Sequence, residues 1–226
     1  LSGPADPFAA LIALVGSFSP FDPSRALVVL WVLALPLAVL GGWFAATRVT
    51  DRPLLRIVGG AAWGLAPTFL AALTDGRPAA VLTHLLLPWL FSAAVVAHRS
   101  WAAAGAASIL AAGVLASAPS LGPALAVLWA LALVLVVVRQ RGRGIARILW
   151  LVIPTLAMFG PLVWRQLRSG TAWGLLADPG VVWAGPQVAA DAAGRTLLAL
   201  GFPTSDPGGW AAFLGAPAWW AALLTK

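Results

Sequence analysis

The 226-residue chain contains no cysteine, glutamate, asparagine or tyrosine, only two histidines and a single methionine. Without cysteine there is no disulfide framework, thiolate metal site or cysteine nucleophile. Without asparagine there is no acceptor for N-glycosylation, and two histidines cannot build a typical zinc site unaided. Charge is scarcest of all. Charged residues make up 9% of the chain, against about 25% in soluble domains. Fourteen cations and seven acids, all aspartate, cannot cover a water-facing surface. These absences exclude a soluble enzyme, a secreted disulfide scaffold and a disordered tail. What is abundant is hydrocarbon: 61% of residues are hydrophobic and the mean hydropathy is +0.94. The chain reads as an all-α, polytopic helical membrane protein.

A helix needs about 20 mostly apolar residues to cross roughly 30 Å of hydrocarbon. Six segments meet or approach this: Ala26–Thr47, Leu54–Leu73, Ala79–Ala97, Trp101–Ser117, Leu121–Val138 and Ile148–Trp164. The run Pro7 to Ser19 is too short to span and reads as interfacial, re-entrant or the remnant of a helix. The chain divides into an outer or interfacial segment (1–25), a six-helix region (26–164), an extracytoplasmic loop (165–209) and a possible further helix beginning at 210. Leu1 in place of methionine and the apolar run ending at Lys226 predict a piece of something longer.

Arginine sets the orientation. The connections after the first, third and fifth spans hold Arg48, Arg52, Arg56, Arg99, Arg139, Arg141, Arg143 and Arg147, with Asp51 as their single acid. The opposite side carries Asp6, Asp22, Asp75, Asp178, Asp191 and Asp206. The positive-inside rule places the arginine-rich connections in the cytoplasm of a bacterial cell and the rest outside its cytoplasmic membrane. The same rule accounts for the net charge of +7 without nucleic acid as a partner. Pro36, Pro67, Pro88 and Pro154 fall inside the spans, and Gly60 and Gly64 make a small-xxx-small step. These read as ordinary packing and kinking, or as the lining of a cavity between kinked helices.

Ionisable residues at membrane depth are costly and are therefore functional candidates. Thr74-Asp75-Gly76-Arg77-Pro78 forms a tight turn between the second and third spans, and His84 follows Arg77 by two helical turns on the same side. Arg77 could grip a phosphate in bidentate fashion, with Asp75 or His84 as general base. Alternatively Asp75 caps the next helix, Arg77 snorkels to lipid phosphate and His84 bonds a neighbouring carbonyl. Asp22 is either an outer catalytic carboxylate or an N-cap. Arg165 and Arg168, one turn apart at the outer end of the sixth span, either bind a lipid-linked diphosphate or snorkel to head groups. Asp178 and Asp206 sit in Asp-Pro-Gly turns, where local bonding favours aspartate. The chain has no Walker A loop, dinucleotide fingerprint, Gly-x-Ser-x-Gly elbow or His-Glu-x-x-His.

Over Leu54–Leu90 the Ala66-Pro67 helix, the Gly76-Arg77 turn and the His84…Leu87-Pro88-Trp89 helix occur in that order, and Leu175–Pro186 reads LLADPGVVWAGP. This pattern resembles the multi-spanning membrane region of large actinobacterial glycosyltransferases of the family-2 and polyprenyl-phosphate-dependent types. In such proteins a cytoplasmic domain using nucleotide sugars and a divalent metal commonly precedes the helices. No Asp-x-Asp occurs here, so the resemblance implies no cofactor in this segment and a metal only in a missing domain. It also implies a catalytic aspartate on an outer loop, Asp22 or Asp75, with Arg77 or Arg165 near the donor phosphate.

The resulting expectation is the membrane-embedded part of a cell-envelope glycosyltransferase, with membrane lipid and a polyprenyl-phosphate-linked sugar or glycan as partners. A transporter or flippase core would instead need a continuous polar path between the two faces. A non-catalytic anchor of a soluble transferase domain would keep its activity without any outer aspartate.

Overall fold

The computed structural model describes residues 7–19, 22–140, 144–170 and 175–179. Among these residues there are nine α-helices and no strand. They are α1 (Pro7–Gly16), α2 (Pro23–Ala46), α3 (Pro53–Gly64), α4 (Pro67–Thr74), α5 (Pro78–Ala97), α6 (Trp101–Ser117), α7 (Gly122–Gln140), α8 (Ile145–Trp150) and α9 (Ile153–Arg168). A short 3₁₀ turn, Pro119–Leu121, leads into α7. Five stretches are long and apolar enough to cross a membrane: α2, α3 with α4, α5, the 3₁₀ turn with α7, and α8 with α9. Helix α6, with 17 residues, is shorter, and α1, with ten, packs against α2 and α6.

Proline marks helix starts more often than kinks. It opens α2, α3, α4 and α5, where its missing N–H is one the first turn leaves unbonded and its fixed φ suits the helix. Pro36, Pro88 and Pro161 do lie inside helices. Two expected continuous spans are therefore broken. Leu54–Leu73 divides at Leu65 and Ala66 because Pro67 cannot donate to the carbonyl of Trp63 four residues back. Ile148–Trp164 divides at Leu151 and Val152, ahead of Pro154.

Helix α5 is the hub, packing against α2, α4 and α6. Its contact with α2 runs in the same direction, with Gly41 against Pro88 and Phe44 stacked on Trp89 at 5.0 Å. Contact between α2 and α3 is antiparallel and rests on glycine. A Cβ on Gly42 would lie 2.6 Å from Trp63 Cβ, one on Gly60 would lie 2.7 Å from Val39 O, and one on Gly64 would collide with Val39 Cγ2. Small residues let backbones approach, and in lipid such close packing replaces the hydrophobic drive of water. The small-xxx-small step is thus a packing device. Beneath the α4–α5 turn the core is Ala34, Ala38, Phe69, Ala72, Val81 and Leu85.

Alternating helix direction gathers Asp22, the Asp75–Arg77 turn and Ser120 at one end of the bundle. Arg48, Arg52, Arg99 and Arg147 gather at the other. The remaining expectations, a short helix near Val188–Leu200, the turn at Asp206 and a further helix from Trp210, lie outside the described residues.

Candidate functional site

The α4–α5 turn is a Schellman motif. Arg77 N–H donates to Ala72 O (2.9 Å) and Gly76 N–H to Leu73 O (3.3 Å), with Gly76 in the left-handed region at φ +65°. This pairing satisfies two carbonyls that a helix end leaves orphaned. Pro78 then starts α5 at once. The turn thereby sets Asp75 and Arg77 on either side of a glycine, and their side chains form an ion pair of 3.1 Å with both partners partly exposed. Asp75 is the C-cap of α4, and the N-cap position of α5 belongs to Arg77. The expectation that Asp75 caps the following helix therefore does not hold.

Two turns into α5, His84 fills the gap opened by the α3–α4 break. Its ring is stacked between Trp63 (4.3 Å) and Phe69 (4.4 Å). His84 Nε2 lies 2.9 Å from the carbonyl oxygen of Trp63. A carbonyl only accepts, so Nε2 carries the proton in this bond. Trp63 Nε1 returns a bond to His84 O at 3.2 Å. Histidine thus gives the shorter of two bonds, beside Ala66 N–H at 3.3 Å, to the carbonyl that Pro67 leaves without its helical partner, as the alternative reading of His84 anticipates.

Asp75, Arg77 and His84 line one cavity of about 940 Å³, so the convergence expected from their spacing is present. Phe8 of α1, Thr68 and Phe69 of α4, and Thr83 and Leu87 of α5 line it as well. On the α6 side are Ser117, Ser120 and Leu121, and the described part of the segment after α9 adds Ala177 to Pro179. The hydroxyls of Thr83 and Ser117 are buried and hydrogen-bonded across α5 and α6 at 2.8 Å. Asp178 does more than shape a local turn. Its carboxylate accepts from Ser120 N–H (3.0 Å) and Ser120 Oγ (2.9 Å), tying the loop to the entry of α7 across 58 positions.

The other candidates stand apart. Asp22 pairs with Arg25 at 2.9 Å and makes no capping bond to α2. Arg165 and Arg168 are exposed at the end of α9, with Arg168 over the Trp164 ring at 4.7 Å, and neither lines the cavity. Sequence reasoning missed Thr83, Ser117 and Ser120. Their only signal is a hydroxyl near a span end, which also occurs at many packing positions. Among the described residues no group of three histidine, cysteine or acidic side chains is placed to hold a metal ion.

A second hollow of about 550 Å³ adjoins the first. Leu87 lines both, and Leu121 of the first is followed by Gly122 of the second. It runs between α5, α6, α7 and the α8–α9 span and is lined by side chains such as Leu90, Phe91, Leu115, Leu125 and Leu151. Its polar members are few: Trp129, whose Nε1 donates to Ile148 O at 2.8 Å, and Thr155. A charged chamber at the bundle's end thus opens beside an apolar groove at helix depth. Comparison with protein-family models, with curated proteins and with solved structures finds no match.

Proposed function

We propose that the chain is the membrane-embedded part of a bacterial cell-envelope glycosyltransferase that holds a polyprenyl-phosphate-linked sugar or glycan in the outer chamber. The observation that carries this reading is the adjacency of the two hollows through Leu87. A phosphate joined to a long hydrocarbon chain matches a chamber bearing arginine that continues into an apolar groove.

Arg77 then takes the phosphate, because a guanidinium presents paired N–H donors to phosphate oxygens. In the free chamber Arg77 is engaged by Asp75 at 3.1 Å, so the carboxylate is occupied by the guanidinium. Arrival of the phosphate draws Arg77 away and leaves Asp75 to accept the proton of the acceptor hydroxyl. The acceptor oxygen bonds to the anomeric carbon as the carbon–oxygen bond to phosphate breaks. The leaving phosphate gains one negative charge, which Arg77 stabilises, and the proton rests on Asp75. His84, with Nε2 committed to the Trp63 carbonyl, acts as a positioning residue beneath this pair. The chamber faces outward and the arginine-rich connections lie in the cytoplasm, as the charge asymmetry indicates.

Asp75→Asn and Arg77→Gln in the intact protein test the assignment. Each lowers sugar transfer from the polyprenyl phosphate donor by about 100-fold or more, while membrane insertion and monodispersity in detergent are unchanged. Full transfer in both variants overturns it.

A further inference from the structure

At the end of the bundle opposite the chamber, the α5–α6 turn meets the start of α8. Gly144 makes the meeting possible. Its φ of +94° is one that L side chains rarely adopt, and a Cβ there would lie 2.6 Å from His98 O. Arg147, one turn on, donates from Nη1 to the same carbonyl at 2.9 Å and lies over the Trp101 ring at 5.7 Å. Trp101 meets Trp150 edge to face at 6.3 Å, both rings partly exposed. Arg99 is exposed, and its Nε donates to His98 Nε2 at 3.1 Å. One guanidinium, that of Arg147, is therefore held against an indole, and Arg99 stands on the same turn at that helix-end level.

No carboxylate offsets them among the described residues. Of the four described aspartates, Asp22 holds Arg25, Asp51 holds Arg56, Asp75 holds Arg77 and Asp178 holds Ser120. Arg147 spends one N–H on a backbone carbonyl and Arg99 one on an imidazole, so each keeps donors for a further acceptor. Indole rings with one apolar and one wet edge favour the level of lipid head groups. Ala97, Ala104, Val136 and Ile148 form a buried apolar cluster that packs α5, α6, α7 and α8 together at this end of the bundle.

We propose that Arg99 and Arg147, framed by Trp101 and Trp150, form a binding site for the phosphodiester head group of an anionic phospholipid. This site is independent of the outer chamber and of the function assigned to it. Its ligand is a lipid rather than a free phosphate, because the exposed indoles suit acyl chains that inorganic phosphate lacks.

The test uses the full chain in neutral detergent, titrated with phosphatidylglycerol or phosphatidylcholine, with bound lipid counted by native mass spectrometry. Phosphatidylglycerol is retained about tenfold more tightly, as two arginines near an anionic head group provide. Arg99→Gln/Arg147→Gln brings the preference to within about twofold, whereas Arg48→Gln/Arg52→Gln, on the neighbouring turn, leaves it intact. Arg99→Lys/Arg147→Lys keeps the charge and melts as the parent does, and it retains part of the preference. Equal losses in the two glutamine pairs would show bulk charge attraction and overturn the site. No preference in the parent would overturn it as well. Displacement of the lipid by millimolar inorganic phosphate would assign the arginines to a free anion and sink the lipid proposal.

Discussion

Helices α2 to α5 and helices α7 to α9 are drawn from the same few apolar residue types and pack in opposite ways. Of the most apolar window of α5, 44% is buried, against 6% for α7 and 6% for the α8–α9 span. Hydropathy does not predict this, since the α7 span is the more hydrophobic at 2.7 against 1.9 for α5. What differs is where the small residues stand. Gly41, Gly42, Gly60 and Gly64 line up along α2 and α3 and admit Pro88, Trp63, Val39 and Trp43. Helix α7 has glycine only at its first position and then carries leucine and valine along its length, Val127, Leu128, Leu131, Val134 and Val138 among them exposed. In lipid, apolar surface gains little from burial, so close approach decides which helices join. One half becomes a rigid frame for the Asp75–Arg77 turn. Among the described residues the other is open, and the apolar groove lies between α5, α6, α7 and the α8–α9 span.

The comparison breaks most severely at Gly64. Gly64→Leu drives a side chain into Val39 and separates α3 from α2. Overpacking a closed core costs about 1–3 kcal/mol, and more where backbone must move. Here Val39 N and Cα also lie within 3.4 Å of the added Cβ. Size-exclusion profiles should lose their monodisperse peak. Leu131→Ala on α7, half exposed, should shift the thermal midpoint by less than about 0.5 kcal/mol equivalent. A tolerant Gly64 beside a sensitive Leu131 would reverse the assignment of frame and open half.

A finer test lies at the α3–α4 break. His84→Phe keeps a ring between Trp63 and Phe69 and leaves the Trp63 carbonyl only its longer bond from Ala66 N–H (3.3 Å). Loss of one such part-buried hydrogen bond costs about 0.5–1.5 kcal/mol. Pro67→Ala returns an N–H at the position where the helix would bond that carbonyl. In the Pro67→Ala background the cost of His84→Phe should fall below half, and a double-mutant cycle on thermal midpoints measures the coupling. Additive effects would mean that His84 and Pro67 do not share the carbonyl.

This pairing also shows how far the sequence could be read. The spans were legible because apolar length is a property of composition, and the meeting of Asp75, Arg77 and His84 in one cavity followed from helical spacing within 10 residues. The stacking partner of His84 was not legible. Trp63 lies 21 positions away, and nothing in the period of α3 says that Pro67 frees its carbonyl toward α5. The bond of Asp178 to Ser120 spans 58 positions and hid behind an Asp-Pro-Gly pattern that explained the aspartate locally. The groove was invisible for a third reason. It is made by residues that fail to meet, and hydropathy along one helix carries no record of the distance to the next.

Within the chamber a small effect is expected at Gly76, in the turn that joins α4 to α5. Its φ of +65° is open to glycine at no steric cost, and a Cβ there meets nothing within 4 Å. Gly76→Ala therefore pays only for the left-handed backbone, about 1 kcal/mol. The thermal midpoint should fall by that small amount. If Asp75 and Arg77 work as a pair, transfer should fall further than stability does, because a turn that relaxes toward negative φ moves the two side chains apart. A loss of transfer no greater than the loss of folded protein would separate the turn from the chemistry. The frame would then position the chamber wall without positioning its charges.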